Sequence, residues 1–151
     1  MEDQLLAPFR TGCNCAQTVL LAFQEEVGLT GEQIKGIALG FGGGIGRTGQ
    51  VCGAVSGAVM ALGMAAYKAM DDHSDAKELA AKVSQLMMEE FREEHGSLYC
   101  SELLDGIDLR SEEGRAQFKA TGLHEAVCEP AVSTAIRSAR KLIRIIQNPT
   151  Q

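Results

Sequence analysis

Apolar residues recur along this chain at helical spacing almost from end to end. From Cys15 to Val27, the residues Val19, Phe23 and Val27 fall along one face, and Gly28 supplies a stop. A shorter helix is predicted from Glu32 to Leu39. After it comes a loop containing Gly40, Gly42, Gly43, Gly44, Gly46 and Gly49. A third helix is predicted from about Cys52 to Met70. Gly53, Gly57, Ala61 and Ala65 repeat every four residues along it and form a smooth stripe where another helix can approach closely. Each glycine inside a helix costs up to about 1 kcal/mol relative to Ala, so the stripe calls for a packing partner that offsets the loss.

The polar connector Asp71 to Ser74 leads into the most regular helix, Asp75 to His95. Leu79, Val83, Leu86, Met87 and Phe91 are expected in the core. Lys77, Lys82, Glu89, Glu93 and Glu94 are expected outside, with Gly96 as the stop. Short helices follow at Cys100 to Leu104 and Glu112 to Thr121. The last helix ends near Gln147 with Val132, Ile136, Ala139, Leu142, Ile143 and Ile146 as its buried stripe. No strand pattern, internal repeat or low-complexity linker interrupts this series. The expected fold is a single all-α domain over residues 1–151, a compact bundle of about five or six helices with a Gly-rich loop before the central one.

Composition supports helices over sheets. Hydrophobic residues make up 45% and aromatics only 5% with no Trp, too few of the residues that favour strands. A net charge of −6 argues against a nucleic-acid partner, which needs clustered Lys and Arg. The basic cluster Arg137, Arg140, Lys141 and Arg144 lies near a predicted helix C-terminus, where cations suit the dipole. The longest uncharged stretch, Gly49 to Tyr67, is built of Gly, Ala and Ser as much as large apolar residues, so a buried core helix is expected and no membrane span. The N-terminal Met1-Glu2-Asp3-Gln4 is acidic with no signal-like apolar run after it, which places the expected compartment in the cytoplasm.

Five cysteines then need a reason, because a reducing compartment disfavours a static disulfide framework. Cys15 follows Asn14, a good N-cap, and Cys52 opens the third helix. Cys100 comes three residues after the plausible cap Ser97. Cys128 lies two residues before Pro130, at or just before the last helix unless its upstream residues are also helical. Four of the five are thus expected at helix N-termini, where free N–H groups and the dipole favour a thiolate. Cysteines that merely fill a core have no reason to gather there.

Spacing narrows the chemistry. No Cys-x-x-Cys occurs, which removes a thioredoxin-like motif and argues against a local zinc knuckle; only Cys13 and Cys15 are close. Any joint site must be assembled by the fold, one cysteine per helix. Gly44-Ile45-Gly46-Arg47-Thr48-Gly49 matches the dinucleotide fingerprint, yet a helix precedes it and the acidic residue about twenty positions on is missing. The loop is better read as a tight turn delivering Cys52. Gly43, Gly44 and Gly53 are the candidate cofactor-binding positions through which it could admit a small anion. His73 is expected in solvent and His95 at a helix end. His124, four residues from Cys128, is a base or ligand candidate with a surface position as the plainer reading.

Gly12-Cys13-Asn14-Cys15-Ala16-Gln17, then Gly40-Phe41-Gly42-Gly43-Gly44, then Cys52-Gly53-Ala54-Val55-Ser56-Gly57, then single Cys100 and Cys128, resemble the redox-active protein family named for a C…GCAxxG…C…C pattern. The label transposes two letters relative to the Cys-Gly-Ala of this chain. The likeness spans about Phe9 to Leu142. It implies four hallmark cysteines, Cys15, Cys52, Cys100 and Cys128, as candidate catalytic thiols, with Cys13 an extra that is either a resolving thiol or merely a neighbour, but it supplies no substrate.

Three functions follow as expectations. The first is reversible dithiol/disulfide chemistry needing no cofactor, with Cys52 the attacking thiolate, another cysteine resolving, and a redox protein or small molecule as partner. The second is a zinc or iron–sulfur centre ligated by Cys15, Cys52, Cys100 and Cys128. The third is a non-catalytic helical module, pairing as a homodimer through its Ala/Gly-rich face. Whether the chain is an enzyme stays open at this level.

Overall fold

A computed structural model of the chain describes residues 2–149. Nine α-helices account for most of the described residues: α1 (Glu2–Arg10), α2 (Cys15–Leu21), α3 (Gln24–Val27), α4 (Gly31–Ala38), α5 (Gly53–Ala69), α6 (His73–His95), α7 (Cys100–Leu103), α8 (Glu112–Ala120) and α9 (Glu129–Gln147). A 3-10 turn, Leu39–Phe41, closes α4, and a π turn, His124–Cys128, runs directly into α9. The only extended pairing among the described residues is the isolated antiparallel bridge between Val51 and Tyr99. The all-α expectation holds, with three or four helices more than foreseen.

Helix α5 is the centre, packed against α2, α6 and α9. Its small-residue stripe does what its spacing implied. A Cβ on Gly57 would lie 2.8 Å from the Ala16 carbonyl oxygen and 3.0 Å from Val19 Cβ, so α2 packs at backbone distance. Phe23, Leu62, Met87, Phe91 and Val132 fill the space between these helices with no exposed surface. Ion pairs join α6 to α9 at the rim: Glu94 with Arg137 at 2.8 Å and Glu90 with Lys141 at 2.6 Å. Arg140 lies 4.9 Å over the Phe23 ring and donates to the Ala22 carbonyl. Three of the four residues of the basic cluster are thereby engaged within the chain.

Three local expectations are corrected. Helix α1 was not foreseen, because Pro8 near its end obscures the pattern; Leu6 and Phe9 nonetheless bury against the bundle, and Arg10 bridges Asp3 and Glu129 at 3.0 and 2.9 Å. The predicted helix Cys15 to Val27 breaks at Phe23, whose φ of −114° leaves helical geometry while its ring is fully buried. Leu86, expected in the core, is 44% exposed at the edge of the α6 stripe. Cys128 stands directly before α9 as expected, and the alternative of helical residues upstream holds as well: it ends a π turn continuous with α9.

The Gly-rich loop has an unusual course. Five consecutive residues, Gly43, Gly44, Ile45, Gly46 and Arg47, have φ between 60° and 71°, a left-handed turn that includes two residues with side chains. The loop folds back on itself through Gly49 N–H to the Gly43 carbonyl and Gln50 N–H to the Gly44 carbonyl, at 3.1 and 2.9 Å. Its exit is then pinned beside the segment that opens α7. Cys52 N–H donates to Leu98 and Cys100 N–H to Gln50, each at 2.8 Å. Among the described residues no helix is long and apolar enough to cross a membrane.

Candidate functional site

Each hallmark cysteine is held by its own local device. Cys15 is the first residue of α2, whose N-cap Asn14 accepts from Gln17 N–H while Gln17 Oε1 accepts from Asn14 N–H, both at 2.8 Å. Asn14 Nδ2 also donates to the carbonyls of Ala38 and Leu39, capping the end of α4 with the same side chain. Cys52 is the N-cap of α5, where its carbonyl accepts from the N–H groups of Val55 and Ser56 at 3.0 and 3.1 Å and its thiol stands beside the first-turn amides. Cys100 opens α7. Its cap is Tyr99, not Ser97; Ser97 Oγ instead accepts from Tyr99 N–H and donates to Glu102. Cys128 comes in from the π turn.

These devices converge. The thiols of Cys52 and Cys128 both hydrogen-bond with Cys15, and Cys100 is near enough to Cys52 and Cys128 to interact with their charges. Two glycines permit the approach. A Cβ on Gly53 would lie 3.2 Å from Cys15 Cβ and 2.9 Å from the Phe41 carbonyl oxygen, and one on Gly44 would lie 2.7 Å from Cys100 Cβ. Cys52 is buried and the other three are half-buried; all five cysteines are free thiols. Cys13 takes no part in these interactions, its N–H spent on the Pro8 carbonyl at 2.9 Å.

The cluster separates its thiols electrostatically. Hydrogen bonding to Cys15, helped by the Ala54 and Val55 amides, holds the Cys52 thiol below the ordinary range despite its burial. Hydrogen bonds to Cys128 and then Cys52, together with burial, push Cys15 well above that range. Burial, with the negative charges of Cys52 and Cys128, raises Cys100 to about 12. Cys52 is thus pushed toward its thiolate form, and Cys15 and Cys100 toward their protonated forms.

The remaining sequence candidates fall as follows. Gly44 and Gly53 are occupied by packing against the cysteines, whereas Gly43 lines an open groove beside the loop. His124 stacks on Phe9 at 3.9 Å and turns Nδ1 toward Glu125 at 3.7 Å. His95 meets Thr134 Oγ1 at 2.9 Å, and His73 is exposed at the start of α6. No group of three or more His, Cys, Asp or Glu side chains among the described residues is arranged as a metal site. Sequence reasoning missed the pinning of the loop exit by Leu98 and Gln50, since two single backbone hydrogen bonds leave no periodic trace. Gly44, expected as a candidate cofactor-binding position in a tight turn, instead makes room for Cys100.

The chain is 30% identical over 109 residues to an uncharacterized protein of Archaeoglobus fulgidus, a match covering 68% of this chain and 72% of that protein. No solved structure matches it. Residues 13–142, which include all four clustered cysteines and the loop that delivers two of them, match the family described as "Putative redox-active protein (C_GCAxxG_C_C)". The chain therefore belongs to that redox-active family.

Proposed function

We propose that the cluster carries out reversible dithiol/disulfide exchange, with Cys52 attacking and Cys15 resolving. The observation that carries this reading is the Cys52 thiol, held low by the Cys15 hydrogen bond and the Ala54 and Val55 amides while its neighbour keeps a proton. In the forward direction the Cys52 thiolate attacks one sulfur of a substrate disulfide. A mixed disulfide forms, and the other substrate sulfur leaves as a thiolate that takes up a proton. Cys15 then gives up its proton and attacks the Cys52 sulfur, releasing the second substrate thiol. Two electrons have passed from the protein to the substrate, and a Cys15–Cys52 disulfide remains. Cys128, the other partner of Cys15, is a second thiol within reach for onward exchange.

The test is oxidation of the reduced full chain with diamide, an uncharged diazene that accepts two electrons and two protons, followed by peptide mapping. The expected product is a Cys15–Cys52 disulfide, absent in Cys52→Ser and retained in Cys13→Ser. Random pairing, or equal oxidation of Cys52→Ser, would overturn the assignment. Stoichiometric iron or zinc in anaerobically purified protein would replace it with a thiolate-ligated centre.

A further inference from the structure

Beside the Gly-rich loop lies a groove of about 1100 Å³, walled by the loop, by Gly12, Asn14 and Gln17 at the start of α2, and by α8 and the π turn. We infer that this groove binds a small organic anion with an apolar body, its negative group anchored by Arg47 and Lys119. The lining is largely apolar, with Leu39, Phe118 and the backbone of Gly43 and Gly46 among its surfaces, and a chain carrying net −6 nevertheless presents three Lys/Arg side chains there against Glu112 and Glu125. Their roles differ. Arg115 is committed to the wall, donating to the carbonyls of Leu109 and Arg110 at 2.9 Å each, and Glu125 faces His124. The side chains of Arg47 and Lys119 make no hydrogen bond or ion pair among the described residues, the Arg47 N–H alone donating to the Gly42 carbonyl at 3.1 Å.

The backbone at Arg47 adds an independent argument. Its φ of 64° lies where glycine is at ease and a side chain is strained, and six of the ten residues from 40 to 49 are already glycine. A purely structural turn gains nothing from arginine at this position. Strain of this kind persists where the side chain has work to do. Arg47 and Leu109 also line a smaller cavity of about 160 Å³ whose wall includes Cys100, so the anchored end of the ligand would sit at the edge of the cysteine cluster. That the ligand is also the partner in thiol exchange rests on the reading above; its binding does not.

The reduced full chain is titrated with 8-anilinonaphthalene-1-sulfonate, an aromatic anion, and with the uncharged N-phenyl-1-naphthylamine, by fluorescence. The anion is expected to bind at one site and weaken roughly tenfold in Arg47→Gly, the loss of one charge-assisted contact. Arg47→Gly relieves the strained turn, so its melting temperature should equal or exceed that of the wild type, which excludes misfolding as the cause. Lys119→Gln should weaken anion binding, and Cys52→Ser should leave it unchanged even if diamide no longer yields the disulfide. Equal affinity for the two probes, or undiminished anion binding in Arg47→Gly and Lys119→Gln, would overturn the proposal.

Discussion

Cys52 and Cys100 each follow one partner of the Val51–Tyr99 bridge, yet their thiols are driven in opposite directions. The Cys15 thiol and the nearby helix-start amides draw Cys52 down; burial and negative neighbours drive Cys100 up. In the reduced protein, thiolate absorbance near 240 nm should therefore begin to rise at a lower pH in the wild type than in Cys52→Ser. The same contrast sets stability against pH. Cys100, raised to about 12, binds its proton more tightly in the folded chain than in the unfolded one, where the ordinary value is about 8.5. Its contribution is complete below that ordinary value and is lost as pH rises toward 12. Cys52 behaves oppositely: its contribution is present above the ordinary value and fades as pH falls through the folded one. Urea midpoints of wild type and Cys100→Ser, measured from pH 8 to 10.5, should show the wild-type lead narrowing as pH rises. A widening lead would mean that Cys100 ionises in the folded chain.

Between elements, the decisive contact is α2 on α5. Gly57→Ala gains helix propensity of up to about 1 kcal/mol but drives a methyl into the Ala16 carbonyl and Val19, an overpacking that typically costs about 1–3 kcal/mol. The net effect should be destabilising by chemical denaturation. Gly63 on the same helix meets nothing within 4 Å, so Gly63→Ala should stabilise by up to about 1 kcal/mol. The pair separates packing from propensity. Were both substitutions stabilising, α2 would not be at backbone distance from α5, and the approach of Cys15 to Cys52 would lose its support. The Gly-rich loop obeys a different rule. Two side-chain-bearing residues in the left-handed region cost about 1–2 kcal/mol each, and the fixed ends of the loop, one beside Asn14 and one by Leu98 and Gln50, hold the backbone there against that cost.

For the molecule as a whole, the cysteine cluster and the core are one structure. Cys15 and Cys52 belong to the helices that bury Val19, Phe23, Val55 and Leu62, so the thiols cannot separate without opening the bundle. Phe91, fully buried on α6 where it packs with α5 and α9, is far in sequence from all of them but Cys100. Phe91→Ala should cost about 3–5 kcal/mol. Helix content and exposure of Cys52 to a thiol reagent should then change at one denaturant midpoint. Distinct midpoints would show that the site and the bundle unfold independently.

The helical class, the positions of α4, α5, α6 and α9 to within a few residues, and the Asn14 cap on Cys15 were legible in the sequence, since periodicity, N-caps and glycine stops are local properties. Cysteines at helix starts were legible for Cys15, Cys52 and Cys100 for the same reason. What remained out of reach depends on contacts between residues remote in the chain: α1, secured by Arg10 on Glu129; the break at Phe23, made beneath Arg140; and the π turn that carries Cys128. The sequence by itself determined which thiols begin helices. Only the tertiary structure decided that Cys15 lies between Cys52 and Cys128 and that Cys13 is left aside, because a thiol's ionisation is set by whatever the fold brings against it.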